Sequence, residues 1–181
     1  RKFFQHERGE WFPSFFTDAN LGVFITGMDE RAPRNQSGKD FFGCTWVFDP
    51  VGNAAVPDTS VPPILEDICD WREKVVFPDL DSVDWEASAK ADKVDQYNPD
   101  KFNYTMLLEG PFERLHTLMG FENALCAMLT DPDEVGAFFD RLAELKCKEL
   151  DILQKYYHTE AVCFHDDWGT QKNMFFSPDI W

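Results

Sequence analysis

The sequence lacks the features that would mark several large classes of protein. Lys and Arg together number 17 against 33 Asp and Glu, which gives a formal net charge of −16. This deficit of positive charge repels nucleic acid and anionic membranes, so neither is an expected partner. No apolar run approaches the roughly 20 residues of a membrane-spanning helix, and no signal-peptide pattern opens the chain. A small molecule is therefore the expected substrate class.

Motifs for common cofactors are missing as well. There is no G-x-G-x-x-G and no glycine-rich phosphate loop, so nothing supports a nucleotide cofactor. No H-x-C, H-E-x-x-H or C-x-x-C spacing occurs, so a complete zinc site cannot be assembled from the sequence. The five cysteines stand at wide spacings among apolar neighbours: Cys44, Cys69, Cys126, Cys147 and Cys163. They are predicted to be reduced, buried thiols of a cytoplasmic protein.

The first 100 residues are predicted to form an aromatic-rich N-terminal lobe. Hydrophobic residues make up 44% of the chain and aromatics 15%, which excludes general disorder. Phe42–Phe48 has the pattern of a strand, and Ile64–Lys74 has the apolar spacing of a short helix. The polar residues 86–100 are the best candidate for a linker. Residues 101–181 would then form a second unit.

This second unit has the pattern of alternating strands and helices. Asn103–Leu108 is predicted to be a strand, and a helix with a break at Gly120 follows it. Asp131-Pro132 is predicted to open a long amphipathic helix. The short apolar run Ala161–Phe164 predicts a strand buried on both faces and parallel to the first. Ser177-Pro178 would open another helix, as in the first βα units of an incomplete barrel.

The leading candidate site follows the second strand directly. His165, Asp166 and Asp167 stand where such a strand ends, which is where α/β enzymes keep their chemistry. Because side chains alternate along a strand, His165 and Asp167 should share a side while Asp166 faces the helices. His165 and Asp167 could then bind a cation, orient a ligand or hold a proton. Alternatively, the acids only cap the turn and satisfy loop amides.

The first strand ends on an acid in the same way. Glu109 terminates this strand, and Glu113 lies one helical turn later, so both are expected on the same edge as Asp167. Glu113 could equally be an acid that the helix dipole favours in a first turn. His116 lies near the apolar row of its helix, and we expect a half-buried histidine there rather than a ligand.

Several strings of residues resemble one protein family. The first set is Leu108–Leu115 (LEGPFERL), Leu118–Glu122 (LMGFE), Asp131-Pro132, Asp166–Gln171 (DDWGTQ) and Ser177-Pro178. The second set is Asp40–Gly43 with Trp46, Phe77–Asp81 and Asp84–Glu86. The first set resembles the uroporphyrinogen decarboxylase superfamily, and the second resembles its branch among anaerobic methyltransferases. The Asp-Asp-Trp-Gly segment is the most specific part.

The resemblance implies a TIM-type (β/α)8 barrel of which only the N-terminal half is present in this chain. The family's site lies at the C-terminal ends of the strands, which is where the residues themselves place the candidates for catalysis, Asp167, His165, Asp166 and Glu109. The decarboxylases of the family grip substrate propionates with an Arg-rich N-terminal motif, where this chain has Glu10–Phe16. The resemblance therefore favours a methyltransferase that moves a methyl group between a small substrate and a corrinoid protein or thiol acceptor.

Zinc and a corrinoid protein are implied by this resemblance alone. The family's zinc ligands, an H-x-C pair and a later Cys, lie in the second half of the barrel, so no metal ligand is carried over. The fragment alone is expected to be inactive, and its exposed sheet edges predict a missing segment or a second chain, as in a homodimer. Two alternatives stay open: a decarboxylase that needs no metal, and a non-catalytic binding module derived from the barrel.

Overall fold

The structure is a computed structural model that describes residues 18–32 and 36–180. The Glu10–Phe16 segment lies outside the described residues. The strands are β1 (Ala19–Gly22), β2 (Gly38–Lys39), β3 (Thr45–Asp49), β4 (Ala54–Pro57), β5 (Phe102–Leu107) and β6 (Ala161–Phe164). The α-helices are α1 (Trp71–Lys74), α2 (Trp85–Ala91), α3 (Pro111–Met119), α4 (Phe121–Thr130) and α5 (Pro132–Tyr157).

Two small sheets organise the chain. One has the order β1-β5-β6 and is parallel throughout, and the other has the order β2-β3-β4 and is antiparallel. The predicted α/β class is confirmed in this form, as a mixed architecture with a parallel three-stranded sheet. The described residues form no closed barrel. None of their helices is both long enough and apolar enough to cross a membrane.

The predicted βαβ unit is present. β5 and β6 pair in parallel, with Tyr104 opposite Ala161 and Leu107 opposite Phe164, and the helices α3 to α5 connect them. Pro111 occupies the first turn of α3, where its missing N–H leaves no bond unmade. Gly120 adopts φ +84, which a β-carbon disfavours, and this residue separates α3 from α4.

Two predictions within this second unit are wrong. β6 was expected to be buried on both faces, but it is an edge strand of the described sheet, and Val162 and Phe164 are 37% and 50% exposed. Ser177-Pro178 was expected to open a helix. Residues 178–180 instead form a turn, in which the Ile180 N–H donates to the Ser177 carbonyl at 3.0 Å.

The first 100 residues fold differently in detail from the prediction. The strand expected at Phe42–Phe48 begins at Thr45, and the helix expected at Ile64–Lys74 shrinks to a 3-10 turn followed by α1. Part of the expected linker is α2, whose Asp84 cap accepts the Ala87 N–H at 3.0 Å. β1 pairs with β5, and one apolar core draws residues from both sides of residue 100. The domain boundary there stays a prediction.

The prediction of buried thiols holds for one cysteine only. All five thiols are free, and Cys44 is buried, but Cys69, Cys126 and Cys147 are exposed and Cys163 is partly exposed. Cys126 and Cys147 lie on helices α4 and α5, where apolar neighbours in sequence do not show which face a residue occupies.

A buried ion pair joins the antiparallel sheet to α3. The Arg114 guanidinium donates to the Asp40 carboxylate at 2.6 Å, and both side chains are at most 1% exposed. Asp40 also accepts the indole N–H of Trp46 and two backbone N–H groups, while Arg114 donates to the Glu30 carbonyl. The pair is therefore hydrogen-bonded on both sides, as a buried pair must be.

We predict that Arg114→Met lowers the free energy of unfolding by about 3 to 5 kcal/mol, because it leaves the Asp40 carboxylate buried without its cation. Urea denaturation measures the change. Glu144→Gln is the control, because it removes an exposed pair with Arg141 and should cost no more than about 1 kcal/mol. An Arg114→Met protein as stable as the control variant would contradict the prediction.

Candidate functional site

The candidate site lies where the neighbouring strands β5 and β6 end. Beyond the strands, the His165 N–H donates to the Leu107 carbonyl and the Gly110 N–H donates to the His165 carbonyl, both at 2.9 Å. The two chain segments therefore leave the sheet side by side. In parallel sheets this carboxyl edge is the usual place for ligands.

Three side chains converge at this edge. His165 Nδ1 lies 2.9 Å from Glu113 Oε2, and ligand atoms of Glu113, His165 and Asp167 all lie within 4.8 Å of one another. Glu113 is buried at 5% exposure, His165 is partly exposed and Asp167 is exposed. The expectation that His165 and Asp167 share a side is met. The sequence left open whether Glu113 belongs to the site or only interacts with the helix dipole, because no local pattern shows which way a first-turn acid points.

Asp166 faces the opposite way, toward α3, as the alternation along the strand predicts. Its carboxylate accepts the backbone N–H groups of Phe112 at 3.2 Å and Glu113 at 2.9 Å. It also accepts the Asp167 N–H at 3.0 Å. Burial raises the pKa of Asp166, while these backbone donors lower it. The capping alternative thus describes Asp166, and its catalytic role stays a prediction.

Gly110 explains how Asp166 reaches the helix so closely. A β-carbon at position 110 would lie 2.4 Å from the Asp166 β-carbon and 2.7 Å from the His165 carbonyl oxygen. Glycine offers no side-chain cap of its own, so the N-terminus of α3 takes its cap from the next strand.

Glu109 does not join the cluster. Its side chain is 2% exposed, accepts the Thr117 hydroxyl at 3.0 Å and lies 3.9 Å from the Arg31 guanidinium. Burial raises the pKa of Glu109 to about 7, although Arg114 opposes the rise. Its φ of +53 is a left-handed conformation that costs a non-glycine residue energy, and such residues concentrate at functional sites.

The electrostatics of the cluster are dominated by negative charge. Burial raises the pKa of Glu113, the His165 hydrogen bond and charge lower it, and the Asp167 and Asp166 carboxylates raise it further. Within the part of the chain that the structure describes, no Lys or Arg forms an ion pair with Glu113, Asp166 or Asp167. The edge therefore suits a cation or a proton, and it disfavours an anionic substrate.

His116 is half-buried, as predicted. Its ring packs edge-on against Phe112 and Phe121, with centroids 5.3 and 5.7 Å away, and burial lowers its pKa to about 4. It borders an open cleft of about 530 Å³ between the antiparallel sheet and α3, together with Thr117 and Met119. A neutral imidazole in this position acts as packing rather than as a charge.

The donor set of the cluster is one imidazole nitrogen and carboxylate oxygens. Among the described residues, no group of three or more candidate metal ligands contains a cysteine. The described residues therefore present no thiolate set for zinc, and the family resemblance places those ligands outside this chain. Comparison of the chain with protein-family models, with curated proteins and with solved structures found no match in any of the three.

We predict that Glu109→Gln is more stable than the wild type at pH 8, by on the order of 2 to 3 kcal/mol. The pKa of Glu109 is about 7 in the folded protein, against an ordinary value of 4.5. Between these pH values the native state binds more protons than the unfolded state, so the free energy of unfolding falls as pH rises. Glutamine keeps an acceptor for Thr117 without the buried charge.

The measurement is urea denaturation of both proteins between pH 5 and 8. The advantage of Glu109→Gln should shrink toward pH 5, whereas the exposed Glu122→Gln should show no such trend. A Glu109→Gln protein that is less stable than the wild type at pH 8 would show that the carboxylate is ionised and stabilised by its arginines.

Proposed function

We propose that this chain is the N-terminal half of a (β/α)8-type barrel methyltransferase that resembles the uroporphyrinogen decarboxylase superfamily. It would move a methyl group between a small substrate and a corrinoid protein or thiol acceptor. The observation that supports the proposal best is the hydrogen-bonded Glu113–His165 pair, with Asp167 beside it, at the carboxyl edge of a parallel sheet. This placement is the one that barrel enzymes use for their chemistry.

The chemistry asked of these residues is proton removal from the acceptor. Glu113 accepts the Nδ1–H of His165 and so fixes the imidazole with its other nitrogen free to take a proton. The acceptor thiol loses its proton to that nitrogen, and the resulting thiolate forms a bond to the methyl carbon as the bond to the methyl donor breaks. The electron pair of that breaking bond stays with the donor.

The remaining acids have distinct parts in this proposal. Asp167 is exposed beside the imidazole and meets the substrate. Asp166 acts as a positioning residue, since its carboxylate holds the backbone of both Glu113 and Asp167. Glu109 lies behind the edge and holds a proton near neutral pH. The family resemblance places the zinc ligands outside this chain, so zinc, where bound, would supply Lewis-acid chemistry from residues other than these.

We predict that His165→Gln lowers methyl transfer by about 100-fold, which is the usual contribution of a general base. The complete gene product that contains this chain is incubated with methylcobalamin and a small thiol, and the methylated thiol is quantified by mass spectrometry. Asp167→Asn should also reduce the rate. His158→Gln is the matched control, because His158 is exposed and precedes β6, at the opposite end of that strand from His165.

Other outcomes separate the two alternatives. Release of CO2 from uroporphyrinogen without methyl transfer would identify a decarboxylase and contradict the proposal. Tight binding of a methyl donor or acceptor with no turnover in the wild type would favour the binding module. Methyl transfer that is unchanged in His165→Gln and Asp167→Asn would leave the enzyme class standing and remove this cluster from its mechanism.

A further inference from the structure

We propose that Glu113, His165 and Asp167 form a binding site for a divalent cation of the Mn²⁺ type, separate from the thiolate-ligated zinc whose ligands the family resemblance places outside this chain. The inference concerns binding alone and does not rest on the proposed function. It predicts a carboxylate and imidazole site within this chain.

The spacing of the cluster fits a cation without rearrangement of the backbone. Two ligands at right angles, each with a bond of about 2.1 Å to the metal, lie about 3.0 Å apart. His165 Nδ1 and Glu113 Oε2 are 2.9 Å apart, and all the ligand atoms lie within 4.8 Å. Ligands on opposite sides of such a cation are about 4.2 to 4.6 Å apart. Rotation of the exposed Asp167 side chain closes the difference between this separation and the 4.8 Å limit of the cluster.

The burial of Glu113 is an independent observation that points to a cation. Its side chain is 7% exposed, yet the side chain that it pairs with in the described residues is the imidazole of His165, which is 37% exposed. A buried carboxylate needs a hydrogen-bonded countercharge or a metal. The buried carboxylates of Asp40 and Glu30 form ion pairs with an Arg and a Lys instead. A cation would take the place of a proton between His165 Nδ1 and Glu113, so His165 serves either as this ligand or as the base of the proposed transfer, and not as both at once.

Hydrogen bonds already hold the backbone of the three ligand residues in position. Asp166 accepts backbone N–H groups from Glu113 and from Asp167, so one carboxylate fixes the main chain at two of the three ligands. The third ligand, His165, is held by backbone hydrogen bonds to Leu107 and Gly110. Residues behind the ligands that fix their geometry are typical of metal sites and raise their affinity.

The ligand types select the kind of metal. Carboxylate oxygens suit Mg²⁺ and Mn²⁺, whereas thiolates select zinc, and an imidazole nitrogen favours a transition metal over Mg²⁺. The combination therefore favours Mn²⁺ over Mg²⁺. Three protein ligands leave further positions of the cation open for water or substrate on the side of Asp167, which is exposed.

The test is titration of the purified 181-residue chain with Mn²⁺, followed by the loss of the electron paramagnetic resonance signal of the free ion. Mn²⁺ is the better probe, because zinc would also bind the exposed thiols of Cys69, Cys126 and Cys147. We expect one equivalent to bind, Asp167→Asn to weaken it at least tenfold, and Mg²⁺ to compete only at much higher concentration. Glu122→Gln is the control, since Glu122 is an exposed first-turn acid of α4 that should leave binding unchanged.

Asp167→Asn is the decisive variant, because its side chain is exposed and the protein is expected to fold as the wild type does. Glu113→Gln should also abolish binding, and its circular dichroism spectrum shows whether it folds. Equal Mn²⁺ affinity in the wild type and Asp167→Asn would overturn the site, because it would mean loose association with an acidic surface. A folded Glu113→Gln protein that binds Mn²⁺ as tightly as the wild type would overturn the ligand assignment.

Discussion

The buried Arg114 is the constraint on which the arrangement of this chain depends. The Arg114 guanidinium donates to the carboxylate of Asp40, directly after β2, and to the carbonyl of Glu30. Arg114 lies on α3, the helix that also carries Glu113. Lys146 on α5 extends the network, because it pairs with Glu30 and donates to the Leu108 carbonyl at the end of β5. Charged groups buried this deeply are stable only together, so the segments they join must pack as one.

The acids near the carboxyl edge of the sheet show how environment decides the role of a residue type. Asp166 is occupied by backbone N–H groups and acts on structure. Glu109 is enclosed beside Thr117 with a pKa of about 7, so it can hold a proton. Glu113 and Asp167 lie in one cluster with the His165 imidazole, where negative charge accumulates. Alternation along the strand separates Asp166 from Asp167, but sequence position does not distinguish the roles of Glu109 and Glu113, because each is an acid near the same strand end.

The sequence predicted the βαβ unit well, because its signals are local. Pro111, Gly120 and Asp131-Pro132 mark the helix ends through backbone geometry, and the structure places the ends there. The alternation of His165 and Asp166 followed from strand geometry for the same reason. The exposure of β6 and the cluster membership of Glu113 depend instead on which elements pack together, which no local pattern encodes. The helix α2 was missed because a short polar helix depends on three buried residues, Trp85, Ser88 and Ala89, and one of these is polar.

Two strings of the family resemblance, Leu108–Leu115 and Asp166–Gln171, are in contact in the fold. Gly110 belongs to one string and Asp166 to the other, and no side chain larger than hydrogen fits at position 110 while Asp166 keeps its place. Conversely, a helix that begins after glycine lacks a cap, and Asp166 supplies it across the sheet edge. Each string therefore requires the other for a physical reason. The pair is one structural device, and it sets Glu113, His165 and Asp167 facing one another whatever chemistry the edge performs.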